Sequence, residues 1–196
     1  MANRYGDVEL DAKGMRALAH PVRLAILTRL QQEGPSTATG LSEHVGATPS
    51  VASWHLRHLA KHGLVRDAEG LGNRRERWWE AASRGFRVVI GDEAGRAAAH
   101  ALRDVLDASE GDPAGEWRNE VEPHLDLPWL ALSGLSDTTV LVTRTELEQV
   151  EAATEELLAP YVLRKDAPAT EVPDGARMVR IRRHVLPAAR AQDDTA

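Results

Sequence analysis

Apolar residues recur three and four positions apart through the first third of the chain, and this spacing predicts a series of helices. Asp11 is placed to cap the first helix. Pro21 opens the second, because proline fits the first helical position, and Gly34 ends it. Ser36 is expected to cap a short third helix, and Gly46 to close it. The pattern therefore predicts three helices before position 48.

A fourth helix is predicted from Pro49 to Gly63, with Thr48 as its cap. At 100° per residue its two faces differ sharply. The apolar face carries Ala52, Leu56 and Leu59, with His55 at its flank. The opposite face carries Ser50, Ser53, Trp54, Arg57 and Lys61. Small donors, one aromatic and two cations are what a helix needs in a DNA major groove.

After Gly63 the period changes from helical to alternating. Positions 64–66 and 75–81 read as two strands, joined by a glycine-rich loop. Arginines lie at or just past the hairpin tip, at Arg74, Arg75 and Arg77. A basic hairpin behind a groove-reading helix is a wing, suited to phosphates or to the minor groove. The adjacent Trp78 and Trp79 can either pack in the core or in a dimer interface, or stack on bases.

Three segments together resemble the winged helix-turn-helix repressors of the ArsR type: HPVRLAILTRL, VASWHLRHLAKHGLV and GNRRERWWEAA. The resemblance covers about residues 10–83. It implies a homodimeric regulator of transcription that binds double-stranded DNA at a palindromic operator, as a repressor. The residues expected to contact DNA are Thr48, Ser50, Ser53, Trp54, Arg57, Lys61, Arg74, Arg75 and Arg77.

Two residues of the fourth helix keep alternative roles. His55, beside the apolar face, can bond a backbone carbonyl and position the helix, or contact a base directly. Trp54 departs from the polar residue or tyrosine that is common in the family's motif. It can pack on a thymine methyl or a sugar, or cover the dimer or wing surface.

The second half predicts an alanine-rich helix over about 92–108, a helix over 143–159, and strands over 138–142 and 178–186. Thr143 and Glu146 form a capping box before the later helix. The alanine-rich helix can pack on a partner chain or on its own. We therefore expect an α+β fold: a winged helix-turn-helix domain over 1–90, then a smaller α+β domain over 91–196 that begins with a helical dimerisation segment.

A tryptophan and leucine cluster in that second half suits either core packing or an apolar pocket for a small-molecule effector. The candidate effector-binding residues are Trp117, Trp129 and Leu130, with Leu125 and Leu127 beside them. An effector would act by favouring a dimer spacing that does not match the operator.

The formal net charge of −6 alone argues against nucleic acid. Residues 1–90 hold 13 Lys and Arg against 9 Asp and Glu, however, whereas residues 91–196 hold 11 against 21. Such an asymmetry, unless it arises by chance, indicates one half that faces nucleic acid. The acidic second half also suits an alternative, a winged-helix module that binds proteins and not DNA.

The chain contains no cysteine, which removes disulfides and thiolate metal sites. The helix after the wing offers only His100 and Asp104 as metal ligands, too few for a tetrahedral zinc site. No phosphate-binding loop, nucleophile motif or paired carboxylate is evident. We therefore expect no metal, no cofactor and no enzymatic activity. Without a secretion signal or an apolar run long enough to span a membrane, the expected location is the cytoplasm.

Overall fold

The computed structural model describes residues 5–71, 76–110, 113–164, 169–181 and 183–188. The fold is α+β, with a winged helix-turn-helix unit at its N-terminal side. In chain order the elements are β1 Val8–Leu10, α1 Ala12–Leu18, α2 Pro21–Glu33, β2 Ser36–Thr37, α3 Ala38–Ser42, α4 Pro49–Lys61, β3 Val65–Asp67, β4 Trp78–Ala81, β5 Phe86–Val88, α5 Glu93–Glu110, α6 Pro113–Glu120, α7 Leu127–Leu130 and α8 Arg144–Arg164. Short 3-10 turns cover Glu122–His124 and Ala169–Glu171.

Side chains cap the N-terminal helices where short polar residues precede them. Asp11 Oδ1 accepts hydrogen bonds from the backbone N–H groups of Lys13 and Gly14, at 3.0 and 2.8 Å. Thr48 caps α4 as predicted and accepts from the N–H of Val51 at 3.4 Å. The prediction for α3 was wrong by one residue. Thr37 caps that helix.

A single apolar core joins the N-terminal helices to the wing and to α5. Its fully buried side chains include Met15, Leu18, Ile26, Leu27, Leu41, Leu56, Leu59, Leu64 and Leu102. Helix α5 packs on α1. It does so through Ala98, Ala99 and Leu102, which are buried, while Ala97 and Ala101 on its other side are exposed. Part of the alanine-rich face thus packs within its own chain.

The wing is the hairpin of β3 and β4 in a three-stranded antiparallel sheet of order β2-β4-β3. Trp79 pairs with Ser36 of β2 and is buried, whereas Trp78 is half-buried. Ser36 therefore belongs to a strand that the sequence did not predict. A separate parallel pair, β1 with β5, brings the start of the chain against the segment that follows the wing.

In the second half, α5 and α8 were predicted, but α6 and α7 were not, and α8 continues through Pro160 beyond the predicted end at position 159. The capping box of α8 is present: Thr143 N–H donates to Glu146 Oε2 at 2.7 Å, and Glu146 N–H donates to Thr143 Oγ1 at 3.2 Å. Positions 138–142 and the described part of 178–186 are irregular, so both strand predictions were wrong. A strand is stable only when paired, and no described residue after Val88 lies in a strand. Within the described ranges, no helix is both long and apolar enough to cross a membrane.

Candidate nucleic-acid interface

Helix α4 buries the face that the sequence predicted and presents the other face to solvent. Leu56 and Leu59 are completely buried in the core. On the opposite side Ser50, Arg57 and Lys61 are exposed, and Ser53 is half-buried. The helix also begins at an exposed end, where the capping Thr48 remains accessible. The predicted row of donors and cations is therefore brought together on one outward surface.

Trp54 is the largest side chain of that outward row and keeps 54% of its surface exposed. Its ring stacks on His58 one helical turn later, with 5.7 Å between centroids and 25° between planes. The ring of His55 meets it edge to face at 4.9 Å. Aromatic groups at these separations hold each other in place. One part of the indole is thus fixed by its own helix, and the rest is open to solvent.

His55 does not make the backbone hydrogen bond that was one of its two predicted roles. It is only 5% exposed, and its Nδ1 has no hydrogen-bond partner among the described residues. Its ring instead lies 4.7 Å from the ring of His20, just before α2. Burial lowers the pKa of His20, His55 and His58, and the nearby Arg23 cation lowers each further. These rings are therefore neutral near pH 7.

His20 was missed as a site residue, although the sequence held a signal. It stands directly before Pro21 at a helix start, where a side chain that accepts a hydrogen bond is favoured. In the structure its Nδ1 accepts from the N–H of Val22 at 3.2 Å. The histidine therefore caps α2 and supports α4 at once.

Of the three arginines predicted to contact DNA from the wing, the structure describes Arg77, which is already paired within the hairpin. The guanidinium of Arg77 donates from Nη2 to Asp67 Oδ2 at 2.7 Å, with a second bond from its Nε to Oδ1, and lies 4.1 Å over the ring of Trp79. These bonds lower the pKa of Asp67 and raise that of Arg77. A similar pair, Arg66 with Glu80 at 2.6 Å, joins the same strands. The predicted contacts Arg74 and Arg75 lie outside the described residues.

The candidate effector residues lie on two short helices of the second half. Trp117 is in α6, and Trp129 and Leu130 are in α7; all three are half-buried. Trp129 lies 5.2 Å from the guanidinium of Arg177. An open cavity of about 420 Å³ lies beside α8 and is lined by Arg87, Arg144, Leu147, Glu148, Glu151, Ala152 and Glu155. Among described residues, no three His, Asp or Glu side chains converge as metal ligands.

A known family matches part of the N-terminal half of the chain. Residues 18–68 match the family model described as a helix-turn-helix domain. A stretch of 93 residues is 34% identical to the HTH-type transcriptional regulator NmtR of Mycobacterium tuberculosis. That match covers 47% of this chain and 57% of NmtR, so the chain spans little more than half of this relative's length.

Two solved structures align with lower identity. NMB1585, a MarR family regulator from Neisseria meningitidis, is 20% identical, with 74% of this chain and 80% of that chain covered and a TM-score of 0.29. A MepR-like protein complexed with pseudoligands is 19% identical over 76% and 82% of the two chains, with a TM-score of 0.31. Neither TM-score is high enough to indicate the fold of this chain. The family match and the order of α2, α3, α4 and the hairpin show that residues 18–68 contain a helix-turn-helix domain. Helix α4 is the second helix of its α3–α4 motif.

Proposed function

We propose that this protein is a cytoplasmic, homodimeric regulator that binds DNA in a sequence-specific manner and represses transcription, as the ArsR-type resemblance implies. The observation that carries the proposal is the outward row of α4: Ser50, Ser53, Trp54, Arg57 and Lys61 share the exposed face of a helix anchored by its apolar side. The partial similarity to NmtR, named as a transcriptional regulator, supports it.

The charge distribution supports the same function. DNA binding draws its sequence-independent affinity from cations that meet phosphates, and its specificity from side chains that meet base edges. Arg57 and Lys61 supply exposed cations on α4, beside the two serines and Trp54. Residues 1–90 carry an excess of four cations, whereas the remainder of the chain carries an excess of ten anions. The end of the chain that bears α4 is thus the end suited to DNA.

Replacing Arg57 by alanine tests this assignment. The variant is expected to bind every duplex more weakly and to lower the slope of log affinity against log salt by about one unit. The measurement is a set of fluorescence anisotropy titrations at several salt concentrations. Arg164→Ala, at the exposed end of α8, is the matched control and should behave as wild type. An unchanged slope for Arg57→Ala would remove Arg57 from the interface.

Breaking the ion pair in the wing is expected to strengthen DNA binding, whereas Arg57→Ala is expected to weaken it. Asp67→Ala releases the Arg77 guanidinium and removes an anion from the wing, so affinity for any duplex should rise about threefold and the salt slope should steepen. Because the pair is exposed and screened by solvent, thermal stability should change little. The double variant Asp67→Ala with Arg77→Ala should lose the gain. A gain that persists in the double variant would show that Arg77 does not act on DNA.

Dimerisation would place two copies of α4 in successive major grooves, about 34–36 Å apart. The exposed alanines of α5, Ala97 and Ala101, support the proposal that part of this helix packs on a second copy. Small side chains allow two helices to approach closely, and these two are not used in the packing of α5 on α1.

We further propose that the regulator does not sense metal and responds to a small molecule through the region of Trp117, Trp129 and Leu130. The absence of cysteine supports the first part, and the half-buried indoles support the second. Stoichiometric zinc or nickel in the purified protein would contradict the first. A metabolite screen in which no compound shifts the melting temperature would count against the second.

A further inference from the structure

We propose that His20 is a positioning residue for α4: its neutral ring caps α2 and supports His55 behind the DNA-facing row, so that the proposed DNA binding weakens when His20 takes up a proton. The inference rests on the proposed function. His20 lies outside the outward row, and its protonation gives DNA binding a pH dependence that contacts made by the row alone would not give.

The cap requires one protonation state of the ring. Nδ1 of His20 accepts the hydrogen bond from Val22 N–H at 3.2 Å, and an acceptor nitrogen must carry a free lone pair. A proton on Nδ1 converts the acceptor into a donor that points at another donor. Acid therefore removes the cap of α2 directly, without any larger rearrangement.

A chain of ring contacts leads from this cap to the outward surface. His20 and His55 lie 4.7 Å apart, His55 and Trp54 lie 4.9 Å apart, and Trp54 stacks on His58 at 5.7 Å. His55 is buried, so a shift of the His20 ring is passed to a side chain that cannot move into solvent. The orientation of Trp54 is thus tied to the state of His20.

The cations around the rings oppose protonation. Arg23 of α2 acts on His20, His55 and His58, and its guanidinium is held near by hydrogen bonds to the carbonyls of Ala17 and Arg16. Lys61, the last residue of α4, and His62, which follows it, act on His58. Asp11 at the start of α1 is the carboxylate near this group, and it interacts with His62. Among the described residues, no carboxylate contributes to the pKa of His20 or His55.

The direction of the pH effect follows from these contacts. Burial and Arg23 lower the pKa of His20 below the ordinary value of 6.5. At low pH the unfolded chain therefore holds more protons than the folded one, and stability is complete above about pH 6.5 and falls as the pH drops below it. Protonation of His58, which lies against Trp54, adds positive charge near the proposed DNA surface and acts in the opposite direction. The test must therefore separate His20 from the other histidines.

Two substitutions make this separation. Asn can accept the hydrogen bond from Val22 at every pH, so His20→Asn keeps the cap without a titrating group. Phe keeps a ring against His55 but cannot cap, so His20→Phe removes the cap at every pH. The exposed His124→Asn is the matched control. Each full-length variant is titrated, at pH 7.5 and pH 5.0, with the duplex that wild type selects from a randomised library.

The ratio of the dissociation constants at pH 5.0 and pH 7.5 is expected to be about fivefold larger for wild type and His124→Asn than for His20→Asn, the size of a lost helix cap. His20→Phe should bind about fivefold more weakly at pH 7.5 and have the same small ratio as His20→Asn. Equal ratios for wild type and both His20 variants would overturn the proposal.

Thermal unfolding separates this result from a failure of the proposed function. If wild type binds no duplex at any pH, the proposed DNA binding is wrong, and the role of His20 as a pH-dependent cap of α2 is still decided by the melting temperature. That temperature should fall more between pH 7.5 and pH 5.0 in wild type than in His20→Asn. An equal fall in both would overturn the role of His20 in that case too.

Discussion

Replacing Leu56 by alanine is expected to lower the free energy of unfolding by about 2–5 kcal/mol, the cost of a large cavity in a packed core. Leu56 is 0% exposed and lies on the face of α4 that anchors the outward row. Its loss removes apolar contact with the core that α1, α2 and the wing share. A domain whose total stability is about 5–15 kcal/mol loses a large part of it.

Urea denaturation followed by circular dichroism measures this change. Leu135→Ala is the control, because Leu135 is 98% exposed and has almost no contact to lose. It should change the free energy of unfolding by less than about 0.5 kcal/mol. If Leu56→Ala changes the free energy of unfolding by no more than the control does, α4 is not anchored in the core by its apolar face. The outward row would then not be held in the position described.

Trp54→Ala is expected to weaken binding of the preferred duplex about tenfold and to leave binding of unrelated duplexes nearly unchanged. The ring is held by His55 and His58 and exposes its remaining surface, so it is pre-organised for an apolar contact with a thymine methyl group. A good bidentate hydrogen-bonded contact with a base edge is worth about 1–3 kcal/mol of discrimination. We expect the apolar contact of Trp54 to lie at the low end of that range.

Parallel titrations with the preferred and an unrelated duplex measure the effect, and Trp54→Phe serves as the matched variant. Phe retains an apolar ring and should keep part of the preference. The salt slope should be the same in all three proteins, since no charge is changed. An equal loss on both duplexes would place Trp54 on the sugar-phosphate backbone or in a structural role.

Local signals in the sequence predicted the helices of this fold well. Thr48 before Pro49, and Thr143 three residues before Glu146, are caps whose partners lie within four positions, and both are present. The outward and buried faces of α4 were predicted for the same reason, because the 3.6-residue period is a property of the helix alone. Fold elements that depend on neighbouring residues were therefore accessible without a structure.

Contacts between residues that are distant in the sequence could not be predicted in this way. The strand at Ser36 exists because it pairs with Trp79, and the predicted strands in the second half lack such a partner. In the site, Asp67 pairs with Arg77 across the wing, and His20 meets His55 across two helices. Composition and period carry no information on such pairs. The pair with Asp67 indicates that Arg77 is bound within the hairpin, and the contact with His55 indicates that His20 supports α4.

Selection of duplexes from a randomised library by the full-length protein tests sequence-specific DNA binding most directly. We predict an enriched inverted repeat whose half-sites lie about one helical turn, 34–36 Å, apart. Its affinity should fall linearly with the logarithm of the salt concentration. A library that shows no enriched sequence, together with no binding of any duplex at low salt, would contradict the account and favour a winged-helix module that binds proteins.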